Sequence, residues 1–255
     1  MAKLFFTKNE WVALTDKYSD PELAKMFNVH KNAIYERRKR LNIPTKHRLK
    51  RHKTYEINED FFSVIKTEEQ AYVLGFFCGD GNVHSKGRSI SISVSVHDQE
   101  ILTKIKKAID CDVPIRTKSN SRGFSPNGFV AILDLSRKKF VEDLAKLGIK
   151  PCKTFSLRYP DIPAHLDKHF LRGLFDADGW IAKYQIGLCG MTPIINDVKD
   201  KIRNHFPKSV YTAEKKVGFS TLLISGRSKE IIHWIYRDAS IYLARKYDLY
   251  IKHWQ

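Results

Sequence analysis

Hydrophobic and polar positions alternate most sharply between residues 89 and 96, where every second position is a serine and the positions between are isoleucine or valine. A period of two predicts a strand with one buried and one polar face. The following pattern predicts helices near 98–109 and 137–147 and strands near 113–119 and 128–136. A second series follows, with strands near 180–189, 209–216 and 219–225, a helix near 193–205 and a helical C-terminus. We therefore expect an α+β protein with two four-stranded antiparallel sheets, each with helices on one face.

A short motif precedes each series. Residues 73–81 read VLGFFCGDG and residues 171–179 read LRGLFDADG. The two segments match at four positions, which are Gly75/Gly173, Phe77/Phe175, Asp80/Asp178 and Gly81/Gly179. A repeat with this separation predicts two copies of one fold unit, related by a pseudo-twofold axis.

Each motif is predicted to end a helix, and each predicted helix has a face of small residues. These residues lie four positions apart, as Gly75 with Gly79 and Gly173 with Ala177. Such a face lets two helices cross with their backbones close together. If the motif helices cross there, Asp80 and Asp178 lie side by side at their C-terminal ends.

Two acids in that position are unfavourable for stability. Each carboxylate opposes its helix dipole, and the two repel each other. A divalent cation would relieve both effects, and oxygen ligands with few other protein groups suit Mg²⁺. The pair Asp80 and Asp178 therefore predicts a metal site that could activate water against a phosphodiester.

The net charge, +17 from 45 basic and 28 acidic residues, indicates a polyanionic partner. By itself the charge leaves DNA, RNA and an anionic membrane surface open. No apolar run approaches the roughly 18 residues that span a bilayer, and the N-terminus lacks a signal-peptide pattern. The four cysteines are widely spaced, which argues against a zinc site or a disulfide framework. We expect a soluble, intracellular protein with no membrane role.

The charge is concentrated at the N-terminus, where residues 1–53 hold 14 basic and 5 acidic residues. Residues 7–42 read as three short helices, the third near 31–41, burying Ala33, Ile34 and Leu41. A short turn followed by a basic helix predicts a helix-turn-helix DNA-binding domain over residues 1–44. The alternative is a helical bundle with a solvated basic face. The exposed residues predicted to contact DNA are Lys31, Asn32, Tyr35, Arg37, Arg38 and Arg40.

Residues 45–66 are predicted to be a basic linker. Its Arg48 and Arg51 are candidates for phosphate contacts, and a disordered tether is the alternative.

The two motifs resemble those of single-chain LAGLIDADG homing endonucleases, and the resemblance covers roughly residues 67–255. The stretches GIKPCKTFSLRYPDIP and ASIYLARKYDLY support it. The resemblance implies a duplicated αββαββα core with halves 67–160 and 161–255, whose sheets form a saddle on DNA. It also implies that metals, Mg²⁺ or Mn²⁺ as a substitute, are held by Asp80 with Gly79 and by Asp178 with Ala177. At the position where that family often has an earlier acid, the chain has Cys78 and Asp176, and this position is not catalytic.

The remaining candidates depend on that saddle. Its predicted DNA contacts are Asn82, His84, Lys86, Arg88, Arg116, Lys118, Arg122, Lys183, Gln185, Lys215 and Lys216, each of which could equally be an ordinary surface residue. Lys138 and Lys229, which follow the fourth strand of each half, are candidate catalytic cations. His97 is a candidate for positioning a water, and the second half has only Gly190 near that place.

Together these features predict a monomeric, Mg²⁺-dependent endonuclease that cuts both strands of a long, specific DNA site. One alternative is a DNA-binding transcriptional regulator that has kept this fold and lost catalysis. The other is an RNA-splicing maturase, which the helix-turn-helix prediction disfavours because the major groove of A-form RNA does not admit a helix.

Overall fold

The computed structural model describes residues 6–44, 55–119, 128–208, 218–224 and 227–255, and the backbone of 210–216. The chain forms two compact units, residues 1–54 and residues 55–255. Five predicted DNA contacts are not covered by this description. Arg48, Arg51 and Arg122 lie outside the described residues, as do the side chains of Lys215 and Lys216.

The first unit contains three short helices, α1 (Lys8–Lys17), α2 (Asp20–Met26) and α3 (Lys31–Arg40). The first helix begins after Thr7, whose hydroxyl accepts from the Glu10 amide while the Glu10 carboxylate accepts from the Thr7 amide. This reciprocal pair satisfies amides that the first helical turn leaves without partners. Fully buried apolar side chains from all three helices form the core, among them Trp11, Leu23 and Ile34.

Two positions of α3 differ from the prediction. Arg38 is buried, with its Nε 2.6 Å from an Asp20 carboxylate oxygen and its guanidinium donating to the Pro44 carbonyl at 2.9 Å. Ala33, expected in the core, is exposed. Since residues four apart share a helix face, the burial of Ile34 brings Arg38 inward. The prediction that Arg38 is exposed is therefore wrong, and its burial gives no support to a DNA contact.

The second unit contains two antiparallel sheets with helices. Its first part consists of α4 (Glu68–Asp80), β1 (Gly81–Val83), β2 (Ile90–Ser95), α5 (Gln99–Ile109), β3 (Arg116–Ser119), β4 (Phe129–Leu135) and α6 (Lys138–Lys146). Its second part consists of α7 (Asp167–Asp178), β5 (Gly179–Ile181), β6 (Ile186–Met191), α8 (Thr192–His205), β7 (Val210–Lys216), β8 (Phe219–Ile224), α9 (Ser228–Tyr236) and α10 (Ala244–Trp254). The strand orders are β1-β2-β4-β3 and β5-β6-β8-β7, with every neighbouring pair antiparallel. The predicted mixture of helices and antiparallel sheets is confirmed.

The two sheets bury their faces differently. In β2 the isoleucines and valine are buried, and the serines between them are partly or fully exposed, as the alternation predicts. In β6 three consecutive residues are buried, because the ring of Trp180 covers Gly187, where a Cβ atom would lie 2.3 Å from that ring. Glycine is therefore required there to accommodate the aromatic ring.

One apolar core runs through both parts of the second unit and includes side chains from both motif helices. Among the residues that the structure describes, no helix has the length and apolar character needed to cross a membrane.

Candidate active site at the ends of two crossing helices

The motif helices α4 and α7 cross with their backbones in contact. A Cβ atom on Gly75 would lie 2.0 Å from the carbonyl oxygen of Phe170, and one on Gly173 would lie 2.0 Å from the carbonyl oxygen of Tyr72. Any larger residue at either position would collide with main chain of the opposite helix. The predicted contact of the small-residue faces is confirmed, and the contact is reciprocal.

The same contact continues to the C-terminal ends of the helices. A Cβ atom on Gly79 would lie 2.4 Å from the Ala177 Cβ and 2.9 Å from an Asp178 carboxylate oxygen. The acid of the second motif therefore lies against the last turn of the first. The two acids are also close enough that the negative charge of Asp178 acts on Asp80. Each acid ends a helix that leads directly into a strand.

Their surroundings disfavour the charged form of both acids. Burial raises the pKa of Asp80 to about 7, and the negative charge of Asp178 adds to this effect. The Asp178 side chain stays accessible to water, but the protein surrounds it closely enough that loss of solvation raises its pKa too. A carboxylate pair of this kind favours a nearby cation.

Two lysines that the sequence analysis missed supply positive charge at this place. The Lys153 ammonium donates to the Gly79 carbonyl at 3.2 Å, and the Lys246 ammonium donates to the carbonyls of Phe175 and Asp176 at 2.6 and 2.7 Å. Each lysine thus occupies the C-terminal end of one motif helix, where a cation complements the dipole. Both offset the cost of the two acids.

Burial also alters the lysines themselves. It lowers the pKa of Lys246 to about 8, and it lowers the pKa of Lys153. A signal for both lysines is present in the sequence. They follow the motif acids by similar distances, 73 and 68 positions, within the two stretches that support the family resemblance.

The two lysines predicted to be catalytic, Lys138 and Lys229, lie at the starts of helices other than the two motif helices. Lys138 begins α6, where its side chain is 85% exposed and pairs with Glu142 at 3.6 Å. Lys229 is exposed in the first turn of α9. Neither is among the cations that act most strongly on the two acids, which are Lys246 and Lys153. Their catalytic role stays a prediction.

The residues at the helix ends fit a hard divalent cation. Two carboxylates with raised pKa values meet there, and the Gly79 carbonyl, which accepts from Lys153, belongs to the residue just before Asp80. The described residues contain no cluster of three or more acidic, histidine or cysteine side chains. An ion would therefore complete its shell with water and phosphate oxygens, as Mg²⁺ prefers.

The two motifs differ two positions before each acid. Asp176 is fully buried, and its carboxylate accepts hydrogen bonds from the hydroxyls of Tyr72 and Tyr236 and from the Leu243 amide, at 2.5 to 2.7 Å. It therefore links both motif helices to the segment that carries Lys246. Cys78 is also buried, and burial raises the pKa of its thiol to about 12. Both residues are buried, and the expectation that this position is not catalytic stays a prediction.

Most predicted DNA contacts within the described residues are exposed. They are Lys31, Asn32, Tyr35, Arg40, Asn82, His84, Lys86, Arg88, Arg116, Lys118, Lys183 and Gln185. Arg37 is half-buried and donates to the Phe6 carbonyl at 3.0 Å, and Arg116 forms an ion pair with Asp134. Exposure alone does not assign DNA binding to any of them.

The expected counterpart of His97 needs correction. Strand pairing aligns Ile92 with Leu188, since each pairs with the glycine that follows a motif acid. Counting forward, His97 corresponds to Pro193, and Gly190 corresponds instead to Val94.

No family model matches this chain, and no curated protein matches it. Solved structures do resemble it. The homing endonuclease I-WcaI bound to its DNA recognition sequence has 12% sequence identity and a TM-score of 0.52, covering 75% of this chain and 91% of that chain. At this identity the likeness shows that the two chains have a similar fold.

Two further structures are of DUF199/WhiA. The full-length protein from Thermatoga maritima has 18% identity and a TM-score of 0.48, covering 76% of this chain and 64% of that chain. The present chain thus spans 64% of the length of that protein. The N-terminal LAGLIDADG domain of DUF199/WhiA has 17% identity and a TM-score of 0.46, covering 75% and 93%. At such identities the likeness concerns the fold alone.

Proposed function

We propose that this protein is a site-specific DNA endonuclease, with Asp80 and Asp178 as the ligands of divalent metal. The observation that carries the proposal is the meeting of these two acids at the ends of reciprocally crossed helices, with Lys153 and Lys246 beside them. A structural pair would gain nothing from two carboxylates whose pKa values are raised. A pair that binds metal and phosphate accounts for both the acids and the lysines.

The chemistry follows from these groups. Bound Mg²⁺, with Mn²⁺ as a substitute, would supply Lewis acidity and a nucleophilic water. The two carboxylates would hold the ion, and the rigid helix crossing would fix their separation. Lys153 and Lys246 would each place a positive charge where a phosphodiester approaches, which stabilises the charge that develops during hydrolysis.

The DNA would lie along the exposed faces of the two sheets, and the first unit would contact flanking sequence as a helix-turn-helix domain. The net charge of +17 supports such a partner. So does I-WcaI, a protein of similar fold bound to its DNA recognition sequence. We infer a protein that acts as a monomer, because each half of the second unit supplies one acid.

The test is cleavage by the variants Asp178→Asn and Asp80→Asn on a pooled DNA library. We expect Mg²⁺-dependent double-strand cuts at one extended site, and a loss of about a thousandfold or more in each variant. In Ca²⁺ both variants should bind that site within about threefold of the unaltered protein, since contacts of the basic surfaces with phosphate supply most of the affinity for a long DNA site.

Asp161→Asn, at an exposed acid outside the motifs, is the control and should cut normally. If the motif variants lose DNA binding together with cleavage, the acids have a structural role instead.

A second candidate is a DNA-binding regulator without catalysis. The observation that favours it is that Lys153 and Lys246 already compensate the acid pair, so the site is partly neutralised without metal. Sequence-selective binding with no cut in Mg²⁺ or Mn²⁺, and unchanged binding after EDTA treatment, would favour this function.

A further inference from the structure

Two ion pairs join a segment of one half of the second unit to the second helix of the other half or to the residue just before that helix. Arg245, in α10, donates to Asp98, which precedes α5, at 3.2 and 3.1 Å. Arg158, near the end of the first half, donates to Asp197 of α8 at 2.7 Å through both nitrogens. We call these the Asp98 clasp and the Asp197 clasp.

The two clasps are built alike. In each, a backbone amide next to the arginine adds a hydrogen bond to the same helix, Ala244 to Glu100 at 3.0 Å and Tyr159 to Asp197 at 3.0 Å. The side-chain exposures also match, at 57% and 15% for Arg245 and Asp98 against 68% and 18% for Arg158 and Asp197.

The two clasps differ in where they lie relative to Asp80 and Asp178. Asp98 lies near enough to Asp80 for its charge to act on it, and Arg245 is the chain neighbour of Lys246. By the strand alignment, the counterpart of Asp98 in the second half is Ile194, six residues after Leu188.

Ile194 belongs to different surroundings. It lines a cavity of about 390 Å³ beside Asp178, together with apolar residues that include Leu174 and Phe219. The charge of the ion-paired Asp98 thus acts on Asp80, whereas Asp178 lines a cavity whose wall is mostly apolar but includes Lys153. The pseudo-symmetry of the fold therefore does not extend to the charges around its two acids.

We propose that the Asp98 clasp makes the two half-sites inequivalent, with Asp98 and Arg245 as positioning residues for Asp80 and Lys246, so that the two DNA strands are cut at different rates. This rests on the proposed endonuclease function. Arg245 neutralises Asp98 and holds the segment from which Lys246 reaches the end of α7. Loss of Arg245 leaves an uncompensated charge on Asp98, which acts on Asp80 and is not among the main charges that act on Asp178. It also frees the segment of Lys246, which acts on both acids, so the difference between the two half-sites comes from the charge of Asp98.

The experiment uses the full chain and a duplex labelled on each strand in turn. We expect Arg245→Gln to slow the cutting of one strand by about tenfold, the effect of one displaced charge, and the other by less than about twofold. Asp98→Asn should slow the same strand. The charge-swapped double variant Asp98→Arg/Arg245→Asp should bring the ratio of the two strands' cutting rates part of the way back to that of the unaltered protein.

Arg158→Gln, which breaks the matched Asp197 clasp, is the control and should leave the ratio unchanged. A second readout needs no turnover. In Ca²⁺, the hydroxyl-radical footprint of Arg245→Gln should weaken over one half of the site only, and thermal unfolding should show that the variant is folded.

The outcomes separate the two proposals. Suppose that the unaltered protein cuts DNA and that Arg245→Gln slows the cutting of both strands equally or of neither. The proposed inequivalence of the half-sites is then wrong, and the proposed endonuclease function stands. Equal effects of Arg158→Gln and Arg245→Gln on the ratio would also overturn it. If the unaltered protein makes no cut, the proposed function itself fails, and this inference fails with it.

Discussion

At the scale of one residue, Asp80 is a side chain whose surroundings in the folded protein disfavour its charged form and so lower the stability of the fold. Its side chain ends a helix, is partly buried and faces a second carboxylate, and these surroundings raise its pKa to about 7. Natural proteins retain such groups mainly where a ligand uses them. Lys246 shows the converse, because burial lowers the pKa of its ammonium to about 8.

The raised pKa predicts a pH dependence of stability. Between the unfolded value near 3.9 and the folded value, the native state binds the extra proton, so the free energy of unfolding falls as pH rises through this window. We expect Asp80→Asn to raise the free energy of unfolding of the metal-free protein by about 2 kcal/mol at pH 8 and by little at pH 4. Urea unfolding in EDTA at both pH values measures this.

The exposed Asp161→Asn variant should show no such pH-dependent difference. Saturating Mg²⁺ should reduce the difference in free energy of unfolding between Asp80→Asn and the unaltered protein at pH 8. An ion that binds only the native state stabilises the unaltered protein. A difference that is the same at both pH values would contradict the assignment of the effect to Asp80 ionisation.

At the scale of elements, the crossing of α4 and α7 decides where the two acids lie. The crossing depends on Gly75 and Gly173, since each approaches a carbonyl oxygen of the other helix. In a helix interior glycine costs about 1 kcal/mol relative to alanine. That cost is offset here by the close packing of two helices whose neighbouring side chains form much of the core.

We expect Gly75→Ala to lower the free energy of unfolding by about 3 kcal/mol, because overpacking against main chain outweighs the gain in helix propensity. Thermal and urea unfolding measure the change. Gly190→Ala is the matched control. Its Cβ would meet Ile195 at an ordinary 3.4 Å, so it should be nearly neutral. An equal effect of the two substitutions would show that the crossing tolerates separation of the helices.

At the scale of the whole molecule, charge is distributed over both compact units. The first unit contributes exposed basic residues on α3, namely Lys31, Lys39 and Arg40. The second contributes exposed cations in its strands and turns. Such a distribution favours a long contact with a polyanion over a single small anion site.

We expect the triple variant Lys31→Gln/Lys39→Gln/Arg40→Gln to bind specific DNA more weakly and to reduce the slope of log affinity against log salt by about 2 to 3. Fluorescence anisotropy over a salt series measures both.

A triple variant of equal charge change, Lys66→Gln/Lys107→Gln/Lys252→Gln, uses exposed lysines outside the predicted contacts. This control should change the slope of log affinity against log salt less than the α3 triple variant does. If the two triple variants change the slope equally, the basic residues of α3 make no phosphate contacts beyond those of other exposed lysines.

The sequence by itself determined the local features of this protein. The spacing of Gly75, Gly79, Gly173 and Ala177 specified a helix face that can approach another backbone, and the repeated motif placed an acid after each such face. The alternation around β2 specified its buried side. These features were predictable because periodicity within one element fixes which residues share a face.

Only the tertiary structure decided which charges meet the acids. The period of a single element does not distinguish Lys153 and Lys246 from the exposed Lys138 and Lys229, although both lie in the two stretches that support the family resemblance. Asp98 and Arg245 are 147 positions apart, so their pairing depends on how two halves of the chain are brought together. Side chains gain buried or paired surroundings from long-range contacts, and the period of a single helix or strand carries no record of those contacts.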